Sequence, residues 1–418
     1  MEPARQLDHT ESYPVSWEER FSAKRRLMDD SGIRAILGVA SRPGTLSFAG
    51  GLPDPKLLPI EHITECAEIV LRDHGRAALQ YGVADGTARL TECLAKLSRS
   101  RGAESSSQNI LPTTGSQQGI DLLANALLNQ GDTIAVTRPT YLGALQIFSA
   151  FEPRYLEISC DDEGPILAEV EAALREEPAF FYLVSMFQNP TGGTISEKRG
   201  EAIVRLCHHY DVPIVEDAAY RELFYDEPPA SLRGIESTML RRNGQRYEDH
   251  GRVLYLGTLS KVMSPGLRVG WIEAPSTVIR GLACLKQGND LHSATFNQLI
   301  AAEFIERFAE DYWNEIRHAY RERRDQAVAS ARKHLGPRLS DCTNPKGGFF
   351  LWVEVDPRIN TSELLAHSVE NFGVAFAPGA PFFARNPDSN TMRVSFSNLS
   401  PIDIERGMQA LGRALQSA

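Results

Sequence analysis

Between residues 119 and 273 the hydrophobic period switches repeatedly, and this alternation constrains the fold more than any other feature of the chain. Apolar residues recur at helical spacing over 119–128, then 133–136 reads as a short buried strand, 143–151 as a helix and 180–185 as a strand. A helical pattern follows over 197–210, and strands are predicted at 213–216, 253–256 and 270–273. Strands that alternate with helices in this way predict an α/β fold, with a mainly parallel sheet covered by helices. On such sheets ligands bind beyond the carboxyl ends of the strands, so the residues directly after each strand are the functional candidates.

The remainder reads as a second lobe of α+β type. A long amphipathic stretch runs over 299–334, a strand is predicted at 349–355, a helix at 363–371 and a closing strand at 391–396, before a last helix. The first 30 residues are polar and read as loosely held. The charged run 233–251 reads as a surface insertion.

Composition narrows the function classes. With 44 Lys+Arg against 54 Asp+Glu, the formal charge of −10 argues against a nucleic-acid or anionic-membrane surface, which calls for clustered cations. No run of eighteen apolar residues is long enough to span a bilayer, and the polar N-terminus lacks the apolar core of a secretory signal. The six cysteines form no CxxC pair and read as reduced packing residues of a cytoplasmic protein. Cys207, His208 and His209 are adjacent, but neighbouring side chains diverge on a helix, so no metal site is expected there. Only eight of the 44 basic residues are lysines, which leaves few candidates for chemistry that needs an amine.

One of those lysines, Lys261, follows the strand at 253–256 in the run Gly257-Thr258-Leu259-Ser260-Lys261, seven residues before Arg268. An amine there is placed to form a Schiff base with an aldehyde cofactor, and the hydroxyls and the arginine beside it can hold a phosphate. An isolated lysine would read as a solvated surface charge, so its neighbours carry the case. Asp217 follows the strand at 213–216. A buried carboxylate needs a cationic or hydrogen-bonding partner, and a protonated pyridine nitrogen is one; capping of the next helix is the other reading. Asn189 lies in Asn189-Pro190-Thr191-Gly192, which on its own is turn chemistry. Yet Asn189, Asp217 and Lys261 follow successive predicted strands, and Tyr220 lies three residues after Asp217, so one ring can touch all four.

Upstream, Gly115, Ser116 and Gln117 open the helical pattern, where free backbone N–H groups offer a phosphate site and Ser is equally a simple cap. Tyr141 follows the strand at 133–136 and can stack on a ring or serve as core.

Taken together, Gly115-Ser116-Gln117, Pro139-Thr140-Tyr141, Asn189-Pro190-Thr191-Gly192, Asp217-x-x-Tyr220, Ser260-Lys261 with Arg268, and Arg393 resemble a class I/II aminotransferase of pyridoxal 5'-phosphate (PLP) fold type I. Further runs are similar to the 2-aminoadipate and kynurenine aminotransferase branch. These are Ser31-Gly32-Ile33-Arg34, Ser47-Phe48-Ala49-Gly50-Gly51-Leu52-Pro53, Gln80-Tyr81-Gly82, and Leu142-Gly143-Ala144 after Tyr141.

The resemblance implies a large domain over 55–290 with a mainly parallel, seven-stranded-type central sheet, a smaller α+β domain over 291–418, and an N-terminal segment, 1–54, that joins the small domain and the substrate site. It assigns the Schiff base and the proton shuttle to Lys261, the pyridine nitrogen to Asp217, and the ring hydroxyl to Asn189 and Tyr220. Gly115, Ser116, Gln117, Thr258, Ser260 and Arg268 would bind the phosphate, and Tyr141 would cover the ring. Arg393 would grip the substrate α-carboxylate as a bidentate fork, with Gly51 and Leu52 near the substrate. Tyr81 would reach the phosphate from the partner subunit of a homodimer. Arg34 would read a distal carboxylate, or be a surface charge.

The implied reaction is a ping-pong transfer of an α-amino group to a 2-oxo acid such as 2-oxoglutarate. The donors considered are 2-aminoadipate or glutamate, and aromatic or branched amino acids. Elimination or replacement, decarboxylation, cyclisation and oxidation run on the same fold and are the competing chemistry. Regulators that share the pattern carry a helix-turn-helix domain before it; here the resemblance starts near Ser31, so no such domain is expected. Two departures stand out. Ala218 occupies a position where relatives often carry a second Asp, and Phe349-Phe350 is bulkier than usual, which would alter substrate preference if that segment borders the site.

Overall fold

The computed structural model describes residues 16–27 and 44–417. Arg34 and the run Ser31–Arg34 lie outside the described residues.

Among these residues the chain builds an eight-stranded sheet. Its strands are β2 (Ile110–Thr113), β3 (Thr133–Arg138), β4 (Arg154–Asp161), β5 (Gly164–Pro165), β6 (Phe181–Val184), β7 (Ile214–Asp217), β8 (Val253–Thr258) and β9 (Gly270–Glu273), in the order β2-β9-β8-β7-β6-β3-β4-β5. A two-residue strand, β1 (Leu46–Ser47), precedes them. From β8 through β4 the neighbours run parallel, and β9 is antiparallel to both β8 and β2. The two-residue β5 brings the count to eight where seven were expected.

Alternation along the strands gives the sheet two apolar faces. Ile134, Val136, Tyr182, Val184, Val215, Leu254 and Leu256 pack under the helices Gly115–Leu127, Leu142–Ser149 and Ser276–Asp290. Ala135, Phe181, Leu183, Ile214 and Val253 pack against Leu167–Leu174, Glu197–His209 and Leu232–Arg242. Burial on both faces is why these strands read as short continuous apolar runs. Cys207 is one of the packing residues, and His208 hydrogen bonds Glu236 at 2.8 Å. Among the described residues no three His, Cys, Asp or Glu side chains converge as metal ligands.

The run 233–251 corrects the sequence reading. It holds a helix, Leu232–Arg242, in which Arg233, Ile235, Glu236 and Leu240 are buried. Two of its charges are internal because they are paired, while Arg241, Arg242, Arg246 and Asp249 are exposed: Arg233 lies 3.1 Å from Glu273 with its guanidinium over the Tyr247 ring, and Glu236 accepts from the Arg252 and Val253 backbone. The stretch 299–334 is two helices, Thr295–Arg307 and Ala309–His334, broken at Phe308 (φ −127°, ψ −19°), whose ring stacks on His62 at 4.5 Å.

A second, four-stranded antiparallel sheet comprises β10 (Leu339–Cys342), β11 (Phe350–Val355), β13 (Ala377–Pro378) and β14 (Thr391–Ser395), and β12 (Val374–Ala375) pairs with β1. The Phe48 amide donates to the Ala375 carbonyl and the Ser395 amide to the Phe48 carbonyl. These bonds carry the segment 49–54 from the small sheet across the ends of the parallel strands.

Candidate active site

The carboxyl ends of β6, β7 and β8, the start of the helix Gly115–Leu127, the segment 49–52 and β14 converge on one cavity of about 350 Å³. That size suits a cofactor and a small substrate. Gly51, Leu52, Ser116, Gln117, Tyr141, Asn189, Asp217, Tyr220, Thr258, Ser260, Lys261, Arg268 and Arg393 all line it. Two of the residues expected in the site stand apart. Gly115 lies behind Arg268, and Tyr81 is 78% exposed outside this chain's cavity, with its ring edge-on to His292.

One end is built for an anion. Gly115, at φ +77°, turns β2 into the helix, and a Cβ there would sit 2.4 Å from Arg268 Nη2. Gly270 is equally close, since its Cβ would fall 2.7 Å from the Ser116 nitrogen. Two glycines thus let the helix N-terminus, with its free N–H groups, approach the arginine. Arg268 itself holds φ 54°, a strained conformation for a side-chain-bearing residue, and its Nη1 donates to Ser260 Oγ and the Pro265 carbonyl. Thr258 Oγ1 donates to Ser260 Oγ at 2.9 Å.

At the centre lies Asp217, 3% exposed at the end of β7. Its Oδ2 accepts from Tyr182 at 2.9 Å, while Oδ1 is buried with no hydrogen-bond partner. Burial pushes its carboxyl up to about 6, against the Tyr182 hydrogen bond, the Ala219 backbone amide and the nearby Lys261 charge. A buried acceptor without a donor is costly, and a protonated ring nitrogen in the cavity would complete it. The unpartnered Oδ1 and the glycine cradle together fit PLP, which has a basic ring nitrogen at one end and a phosphate at the other.

Lys261 Nζ donates to the Gly51 carbonyl at 2.9 Å. Burial first, then the Arg393 and Arg268 charges, lower its amine to about 8. Tyr141 donates to Gln117 Oε1, and burial pushes its phenol up to about 12.

Arg393 is the other cation, 8% exposed, on β14. Nη1 donates to Asn189 Oδ1 at 2.8 Å, Nη2 donates to the Ala49 carbonyl at 2.6 Å, and Nε has no partner. The Phe350 and Phe382 rings lie 4.4 and 5.0 Å from the guanidinium carbon. Burial draws its pKa down to about 10, which still leaves it charged at neutral pH. Phe350 thus packs behind the arginine, and neither it nor Phe349 lines the cavity. Phe382 also lines the cavity, and nothing in the sequence distinguishes it from core; Ala49 and Leu142 line it too, from runs that carry the resemblance but assign them no role.

Comparison with known proteins agrees with this chemistry. Residues 51–411 match the family model for aminotransferase class I and II. The chain is 38% identical over 404 residues to the 2-aminoadipate transaminase of Thermus thermophilus, covering 96% of this chain and 98% of that one. It is 37% identical over 414 residues to aromatic-amino-acid aminotransferase 1 of Thermococcus litoralis, covering 97% and 96%. Among solved structures, the α-aminoadipate aminotransferase of Thermus thermophilus complexed with N-(5'-phosphopyridoxyl)-L-leucine superposes with a TM-score of 0.87 at 36% identity, over 96% of this chain and 99% of that one.

Proposed function

Since the chain belongs to the class I and II aminotransferases and uses PLP to move amino groups, we propose that it takes the α-amino group from an amino acid with an uncharged, largely apolar side chain. The acceptor is a 2-oxo acid such as 2-oxoglutarate, and the exchange is ping-pong. The observation that carries this reading is Arg393: a buried, charged fork with a free Nε that lines the same cavity as Lys261. Leu52, Leu142 and Phe382 wall that cavity and favour aromatic and branched donors. Of the relatives, the aromatic-amino-acid aminotransferase and the leucine adduct of the Thermus structure support this range, whereas the 2-aminoadipate transaminase is named for an acidic donor, and 2-aminoadipate and glutamate are the acidic alternatives.

The cofactor, when bound, supplies an electron sink for charge that develops at the substrate α-carbon. Ser116, Gln117, Thr258, Ser260 and Arg268, with the Gly115 turn, hold its phosphate. Asp217 holds the proton on the ring nitrogen, Asn189 and Tyr220 orient the ring hydroxyl, and Tyr141 covers one face. Arg393 binds the substrate carboxylate and so fixes which bond at the α-carbon faces Lys261. The amine of Lys261, lowered to about 8, would accept the α-proton from that bond and return it to the cofactor carbon on the other side of the transferred nitrogen. Gly51, whose carbonyl accepts from Lys261, and Leu52 line the cavity on the lysine's side.

The proposal extends to a homodimer in which Tyr81 enters the partner's site. It keeps the division into 1–54, 55–290 and 291–418. A cytoplasmic setting accords with six unpaired cysteines and with the absence, among the described residues, of any helix long and apolar enough to cross a membrane.

The test is a half-reaction. The loaded enzyme is mixed with single amino acids without an oxo acid, and the cofactor absorbance and the oxo acid formed are followed. Conversion matched by oxo acid, fastest for aromatic or branched donors, is expected. Conversion confined to acidic donors overturns the substrate class.

A further inference from the structure

The structure contains a buried phenol that the reaction described above does not use. Tyr182, in the centre of β6, is 0% exposed and does not line the cavity, which at this strand is reached by Val184. In the parallel register Val184 lies opposite Asp217, so Tyr182, two residues earlier, projects from the same face. The Tyr182 ring stands edge-on against Phe148 at 5.4 Å, which fixes where the hydroxyl falls. It falls on Asp217 Oδ2 at 2.9 Å, inside the core.

A hydroxyl in an apolar strand is costly unless it is bonded, and Phe would fill the same space without that cost. Burial raises the Tyr182 pKa well above the ordinary phenol value, so the group is neutral and acts as a donor. A donor to a carboxylate favours the charged form and removes one of its two oxygens from play. The oxygen that remains, Oδ1, is the one without a partner.

We infer that Tyr182 is the positioning residue of Asp217: its hydroxyl pins Oδ2, so that Oδ1 alone is presented to the cofactor's ring nitrogen and the carboxylate stays ionised inside the core. The inference rests on the reading of Asp217 as the partner of that nitrogen.

Tyr182→Phe keeps the ring and removes only the donor. The dissociation constant for PLP, measured on apo-enzyme by quenching of intrinsic fluorescence, is expected to rise about tenfold or more, the usual weight of a hydrogen bond to a charged group. In the loaded enzyme kcat falls while KM for the amino acid stays within about twofold of wild type, because Arg393 is untouched. In an Asp217→Asn background the same change has no further effect on cofactor affinity. Wild-type affinity in Tyr182→Phe, or losses that simply add in the double variant, overturns the inference. If Asp217→Asn itself binds PLP as tightly as wild type, it is the reading of Asp217 that fails, and the inference falls with it. Should Tyr182→Phe not fold, 3-fluorotyrosine at 182, a stronger donor with the same ring, is expected to tighten PLP binding; unchanged binding overturns the inference.

Discussion

The Nζ of Lys261 donates to the carbonyl oxygen of Gly51 at 2.9 Å across 210 residues of sequence. This bond joins the end of β8 to the segment that crosses from the small sheet, and the same segment gives its Ala49 carbonyl to Arg393 and its Leu52 carbonyl to Ser397. One carbonyl is held from the end of β8 and the other two from β14 and the residues just after it. The amine and the carboxylate fork are therefore set at a fixed spacing before any substrate arrives.

Lys261→Ala is expected to abolish turnover with circular dichroism unchanged, because the lysine makes one hydrogen bond to a backbone carbonyl and no ion pair among the described residues. A pH signature accompanies it. The neutral amine is the reactive form, and its pKa is lowered to about 8, so the rate at which apo-enzyme takes up PLP rises with pH to a midpoint near 8. A midpoint near that of a free lysine would contradict the buried geometry.

Arg393→Lys keeps the charge but loses the fork that donates to Asn189 and the Ala49 carbonyl. A fall in kcat/KM of about 10- to 100-fold is expected, from loss of one charged hydrogen bond. Phe350→Leu removes one of the two rings against the guanidinium. It should raise KM for the amino acid several-fold, a cation–π contact of about 1–2 kcal/mol. Steady-state kinetics at saturating oxo acid separates the two: a change confined to kcat in both variants would place Arg393 elsewhere in the reaction.

Gly51→Ala tests the segment 49–54, the strap that crosses the ends of the parallel strands. A Cβ there would come 2.8 Å from Phe350 Cζ, and Phe350 is fully buried against Tyr220 and Arg393. The ring has no free space to yield, so the strap must lift from Lys261. A loss of about 1–3 kcal/mol in unfolding free energy is expected, together with a raised KM. Wild-type stability and kinetics would show that the strap is not held tightly.

Much of this site is legible in the sequence for one physical reason. Asn189, Asp217 and Lys261 are polar groups placed directly after apolar runs, where a parallel sheet puts its ligand edge. Tyr182 has the opposite setting: inside Phe181-Tyr182-Leu183-Val184 it reads as core, and only the pairing of β6 with β7 shows that it shares a face with Asp217. The run 233–251 misled because charge in sequence signals exposure, whereas Arg233 and Glu236 are internal through partners distant in the chain. Long-range pairing of this sort leaves no local pattern. Phe350 was legible as bulk, and its place behind Arg393 followed only from the pairing of β11 with β14, which sets Trp352 opposite Arg393.

Asp217 gives the apo-protein a pH-dependent stability. Its carboxyl is raised from the ordinary 3.8 to about 6 by burial. A group whose folded pKa is raised stabilises the fold fully below its ordinary value and loses that contribution as pH rises through the folded value. Apo-enzyme is thus expected to lose about 3 kcal/mol from this group between pH 4 and pH 7. Asp217→Asn should flatten that window in thermal unfolding, and an unaltered slope would mean that burial does not raise the carboxyl.

Tyr81 offers the sharpest test of assembly. It is 78% exposed and outside its own chain's cavity, next to Leu79 and Val83, which are 73% and 63% exposed. Exposed apolar residues grouped in this way mark a contact surface, and in the proposed homodimer Tyr81 completes the partner's phosphate site. Tyr81→Ala and Lys261→Ala should each depress activity as homodimers, the first by weakened cofactor binding and the second by loss of the amine. When the two are unfolded together and refolded as a mixture, the mixed dimer pairs an intact Lys261 on one subunit with an intact Tyr81 on the other, and so regenerates one complete site. Activity in the mixture above the mean of the separate variants, approaching one quarter of wild type for roughly random pairing, is expected. Activity equal to that mean would place Tyr81 outside the partner's site, and sedimentation as a monomer would remove the shared site altogether.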